Sequence, residues 1–114
     1  MWRTPLLMLV LVAGCSKGAQ ADLPYISQAR SLAAEWALVN QQAASGHLTT
    51  PYTNTMRASF REQLQTVSKS LSQPDSRYGE EIQAVLAESD DAAPGELRAH
   101  ADKLKQIEDA LESA

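Results

Sequence analysis

A small all-α fold, an antiparallel bundle of three to four amphipathic helices, is what this sequence predicts, and three observations carry that expectation. Apolar residues recur at three- and four-residue steps from Ile26 to Leu111, the period of one helix face. The β-branched and aromatic alternation that marks strands is almost absent. Gly46, Pro74 and Pro94 divide the pattern into pieces of ordinary helix length.

The first helix is expected from about Pro24 or Ser27 to Ser45, with Ile26, Ala29, Leu32, Ala33, Trp36, Val39 and Ala43 as its apolar stripe. Gly46 suits a left-handed residue just past the helix end, with Leu48 as a hydrophobic closure. The second helix has the clearest start: Thr50 to cap and Pro51 at the first helical position. Tyr52, Met56, Phe60, Leu64, Val67 and Leu71 then keep one face apolar. Pro74-Asp75-Ser76 breaks the chain and supplies new capping residues. A third helix follows from about Arg77 to Glu88, carrying Tyr78, Ile82, Val85 and Leu86, with Gly79 weakening its first turn. Ser89 to Gly95 reads as a linker, within which Pro94 suits the opening of the next helix. The fourth helix, about Glu96 to Glu112, places Leu97, Leu104 and Leu111 on a short heptad seam with His100 and Ile107 between them. Such a seam is too short for a free-standing coiled coil, so the helix is expected to pack within its own chain. No repeat of about 20 to 50 residues is present.

The amino-terminal segment has a different character. Met1-Trp2-Arg3 is a minimal basic flank, and Leu6 to Val12 is an uninterrupted apolar run. That run is far shorter than the roughly 20 residues a spanning helix needs. A short apolar core behind a basic flank, followed by small residues, is the grammar of a removable export signal. The run Leu11-Val12-Ala13-Gly14-Cys15 ends on the only cysteine of the chain. It resembles the lipobox of bacterial lipoprotein precursors, and the resemblance covers residues 1–15 alone. It implies a diacylglyceryl thioether on Cys15, cleavage between Gly14 and Cys15, and acylation of the new amine. A thiol suits the alkylation because its thiolate is the nucleophile near neutral pH. Two or three acyl chains exceed the threshold for stable anchoring that one chain fails to reach. Ser16 is not the aspartate that typically retains Gram-negative lipoproteins in the inner membrane, so the expected address is the outer membrane, facing the periplasm. The corresponding organisation is a signal peptide over 1–14, a lipidated flexible tether over 15–24, and a helical domain over 25–114. A rival cleavage pattern, Ala19-Gln20-Ala21, would release a soluble protein starting at Asp22. Lys17 and the distance from the apolar core weigh against it.

Without Arg3 the chain has 9 basic and 14 acidic side chains, a formal charge of −5. Nucleic acid and anionic lipid are poor partners for such a body. With Cys15 committed, no internal disulfide is available. A domain of about 90 residues buries only about 60 to 65% of its unfolded surface, so stability must come from helix packing.

Candidate chemistry is sparse. His47 and His100 lie far apart in sequence and no paired-ligand motif accompanies them, so no metal and no cofactor is expected. His47 is placed at the carbonyl end of the first helix, and His100 at the edge of the core, where its protonation at low pH would strain the bundle. Asp90-Asp91 lacks the alternating oxygen ligands of a calcium loop and reads as solvated linker charge. Glu80 and Glu81 complement the helix dipole of the third helix. The pattern with the best claim on function is a basic stripe: Arg57, Arg61, Gln65 and Lys69 fall on one face of the second helix. It would dock a carboxylate-rich or phosphate-bearing partner, or else pair internally with acids of neighbouring helices or stand solvated. No glycine-rich nucleophile turn, phosphate loop or histidine pair supports catalysis.

The expectation is therefore a non-enzymatic, membrane-anchored interaction or assembly module that binds another envelope protein. The alternatives are a carrier holding an apolar ligand among Trp36, Met56, Phe60, Ile82 and Leu104, or a soluble secreted helical protein. A purely structural envelope lipoprotein is weaker, since Pro51, Pro74 and Pro94 interrupt any long coiled coil.

Overall fold

The computed structural model describes residues 18–114. The signal segment over 1–14, the Gly14–Cys15 junction and the first part of the expected tether lie outside the described residues. Four helices are present among the described residues: α1 (Leu23–Ala44), α2 (Thr50–Ser70), α3 (Arg77–Leu86) and α4 (Pro94–Glu112). They run alternately up and down. α1 packs lengthwise against both α2 and α4, α3 bridges α2 and α4 on the other side, and α2 and α4 do not approach each other directly.

Each helix forms for local reasons, and the ends are where reading and structure diverge most. α1 ends in a full Schellman arrangement. Gly46 takes φ +75, its amide donates to the Ala43 carbonyl at 3.1 Å, and the His47 amide donates to the Gln42 carbonyl at 2.9 Å. α2 is capped one residue earlier than expected: Thr49, not Thr50, accepts the Tyr52 amide through its hydroxyl. Ser76 caps α3 by accepting the Gly79 amide. Gly79 is not a mere weakness there. A Cβ at this position would lie 2.1 Å from the Pro74 carbonyl oxygen, so only glycine lets α3 start this close to the preceding turn.

Ile26, Ala29, Leu32, Ala33 and Trp36 of α1, Phe60, Leu64 and Val67 of α2, Tyr78, Ile82 and Val85 of α3, and Leu97 and Leu104 of α4 form one core. The inward face of α2 is rotated at its start: Thr53 is buried while Tyr52 is half exposed. The heptad step from Phe60 leads back to Thr53, one position off the tyrosine, and the Thr53 hydroxyl donates to the Thr49 carbonyl at 2.9 Å. On α4 the face against α1 is completed by Ala101 and Glu108, the latter paired with Arg30 at 2.8 Å.

The tether expected to reach residue 24 is shorter on its described part. Gly18 to Asp22 form turns, the Gly18 carbonyl accepts the Ser72 hydroxyl at 3.0 Å, and Gln20 Nε2 donates to the Leu111 carbonyl at 2.8 Å. Asp22 is itself buried. The expected linker Ser89–Gly95 is likewise pinned, with Ala92 buried in the core.

Candidate functional site

The polar residues converge on three clusters and two grooves, and α3 touches all of them. α3 has 10 residues, too few to be stable as an isolated helix. Its position depends on what grips its ends.

At its amino-terminal side the grip is Asp22. This residue is the N-cap of α1, yet its side chain makes no capping bond to its own helix. The carboxylate reaches instead to the α2–α3 connection, accepting from the Ser72 amide at 2.8 Å, the Gln73 amide at 3.1 Å and the Tyr78 hydroxyl at 2.6 Å. Burial alone would raise the carboxyl pKa. The Ser72 amide, the Tyr78 hydroxyl and the Gln73 amide outweigh it and hold the group below the ordinary carboxylate value. Burial and the bond to Asp22 push the Tyr78 phenol up to about 12.

At the other end the connection after α3 is held by donors. Trp36 Nε1 donates to the Asp90 carbonyl at 3.0 Å. Asn40 Nδ2 donates to the carbonyls of Asp90 at 3.1 Å and Ala92 at 2.8 Å, while its own oxygen accepts Arg57 Nε at 2.9 Å. Arg61 lies over the Trp36 ring, 4.9 Å from its centroid. It donates to the Leu86 carbonyl at 2.9 Å, to the Glu88 carbonyl, and to Asp90 Oδ1 at 2.7 Å. A cation on the last carbonyls of α3 complements that end of the helix dipole.

The third cluster is His100. Its Nδ1 pairs with Glu81 of α3 and its Nε2 with Glu88 at 2.7 Å. With both ring nitrogens directed at carboxylates, the doubly protonated imidazole has no lone pair to offer a metal or a substrate proton. Burial would lower its pKa, but the bonds to Glu81 and Glu88 outweigh that and raise it. This reverses the expectation that protonation strains the bundle: the charged ring is the form the site is built around. Glu81, expected only to complement the dipole, is the partner the sequence reading missed. Among the described residues no group of three or more histidine, cysteine, aspartate or glutamate side chains is arranged to hold a metal ion.

The basic stripe is divided by the fold. Arg57 and Arg61 are turned inward to Asn40 and the α3–α4 connection, whereas Lys69 is exposed. Arg61, Gln65 and Lys69 line an open groove of ≈ 300 Å³ between α2 and α3, closed on its far side by Gln83 and Leu86. A second open groove of ≈ 400 Å³ lies between α3 and α4, among Arg77, Glu80, Glu81, Lys103, Gln106 and Ile107. His47 is exposed, and its ring meets the Gln42 side chain at 2.8 Å, tying the last turn of α1. Asp90, expected as solvated linker charge, keeps a largely exposed carboxylate but meets Arg61 with it.

No family model, no curated protein and no solved structure matches this chain.

Proposed function

We propose that this chain is a lipid-anchored, periplasm-facing, non-enzymatic module that binds another protein of the cell envelope, held at the outer membrane by acyl chains on Cys15. The observation that carries the reading is the run Leu11-Val12-Ala13-Gly14-Cys15 behind a short apolar core. Two features of the folded domain support it. Cleavage before Asp22 would sever the turn in which the Asp22 amide donates to the carbonyls of Gly18 at 3.2 Å and Ala19 at 3.1 Å, which favours a cut further upstream. The polar clusters at Asp22, Arg61 and His100 are each spent on holding a connection or a helix pair, which suits a rigid binding body better than a catalyst.

The surface offered to a partner is the α2–α3 groove, through Lys69, Gln65 and the exposed edge of Arg61. An acidic partner segment fits it, since its lining carries two cations and no carboxylate. The grooves between the helices are open and lined mostly by polar side chains, with Leu86 in one and Ile107 in the other, and Trp36, Phe60, Ile82 and Leu104 are packed in the core. The interaction reading is therefore preferred to the apolar carrier.

Fatty-acid labelling of the wild type and Cys15→Ala, followed by cross-linking in whole cells, tests the proposal. Label is expected on the wild type only, with a cross-linked partner lost when the anchor is removed. A natural product that begins unmodified at Asp22, or retains residues 1–14, would overturn it.

A further inference from the structure

The α3–α4 contact contains a feature independent of the anchoring proposal. Beside the apolar contact of α3 with α4, one imidazole is bracketed by two carboxylates from different places: Glu81 from within α3 and Glu88 from the turn after it. All three side chains are mostly shielded, at 17% exposure for His100, 14% for Glu81 and 21% for Glu88. We propose that His100 is a proton-operated clasp, which holds α3 to α4 through both carboxylates when doubly protonated and releases one of them when it loses a proton.

The chemistry follows from the donor count. A doubly protonated imidazole has two N–H groups and satisfies both carboxylates, whereas the neutral ring keeps one N–H and turns a lone pair toward the other. A shielded carboxylate facing a lone pair is both unpartnered and repelled, a costly arrangement in a partly dry site. It must swing toward water. Glu81 has a route, because it already borders the open groove with Arg77 and Lys103. Glu88 is less free, since Arg61 holds its backbone carbonyl. Release therefore turns the Glu81 carboxylate from His100 toward Arg77 and Lys103 in the groove between α3 and α4 and changes the charge that a ligand or partner meets there.

The surrounding charges leave this control to the two glutamates. On α3, Arg77 and Glu80 line the neighbouring groove, joined by Lys103 from α4. Of the other charged residues near this part of α4, Glu96 is exposed in the first turn and Arg98 is turned to Gln41 of α1. From α1 itself, Arg30 is engaged with Glu108 further along α4. α2 does not pack against α4. The sign is set by the raised His100 pKa. The clasp is fully closed below the ordinary histidine value of about 6.5, and it opens as pH rises through the higher value of the folded state.

The test is a titration of the His100 ring nitrogens by NMR, on the full chain in detergent, from about pH 5 to about pH 9, alongside thermal unfolding at the same pH values. His47 resonances are assigned through His47→Gln. His100 is expected to stay doubly protonated above about pH 6.5, and the wild-type Tm to fall as that proton is lost. His100→Gln should lack this alkaline fall. A His100 midpoint at or below the ordinary value, or wild-type and His100→Gln curves that run parallel, overturns the proposal. Should His100→Gln fail to fold, Glu88→Gln keeps one pair and is expected to shift the His100 midpoint downward; an unmoved midpoint overturns the proposal equally.

Discussion

The two connections that flank α3 are gripped by opposite chemistry. The connection before it offers backbone N–H groups at Ser72 and Gln73, and a buried carboxylate, Asp22, accepts them. The connection after it offers carbonyls at Leu86, Glu88, Asp90 and Ala92, and donors from Trp36, Asn40 and Arg61 satisfy them. A short helix that cannot stand alone is thus held by an acceptor at its entrance and donors at its exit. The physical consequence differs between the two. The acceptor grip titrates, since protonated Asp22 loses part of its capacity to accept. The donor grip closes on backbone carbonyls, which do not ionise.

The largest expected effect falls on the donor side. Trp36→Ala removes the central core side chain together with the platform under Arg61 and the bond to Asp90, at a cost of about 4 kcal/mol in urea unfolding. The acid limb of the stability profile should keep its wild-type shape. Asp22→Asn comes next, at about 3 kcal/mol, because an amide presents one oxygen and an N–H₂ group to a ring of donors. The pKa of Asp22 is lowered in the folded state, so its contribution is fully present above the ordinary carboxylate value of about 3.9. It is lost as pH falls through the lower folded value. Asp22→Asn should flatten that acid limb, and a variant whose profile still bends like the wild type would break the contrast between the grips. Arg61→Ala is expected to cost about 2 kcal/mol and to raise hydrogen exchange over Leu86–Ala92. Lys69→Glu sharpens the comparison from outside it: a stability change within about 0.5 kcal/mol, combined with loss of cross-linking to the partner, separates the outward part of the stripe from its structural part.

That last pair of variants shows where the sequence could and could not be read. Arg57, Arg61 and Lys69 share a helix face by spacing. Spacing alone does not distinguish the arginines, which reach across to Asn40 and to the turn after α3, from the lysine that stays exposed. Asp22 carried a readable signal, a capping residue just ahead of Leu23-Pro24, but its partners stand 50 and more residues away. Tyr52 was misplaced because a stripe counted in fours drifts off the helical period, and Thr53 takes the inward place. Glu81 looked like a dipole charge because nothing near it in the chain points to His100.

The helices, the stop at Gly46, the start at Ser76 and most of the core were determined by the sequence itself, because a 3.6-residue period and a capping geometry are set by neighbours along the chain. The run Leu11-Val12-Ala13-Gly14-Cys15, on which the proposed lipidation rests, is of the same local kind. Only the tertiary structure decided which polar side chain meets which backbone group, why Gly79 must be glycine, and which proton state suits His100. Those outcomes depend on distances between segments far apart in the chain, and a hydrogen bond forms only within about 3 Å, a condition that no local spacing encodes.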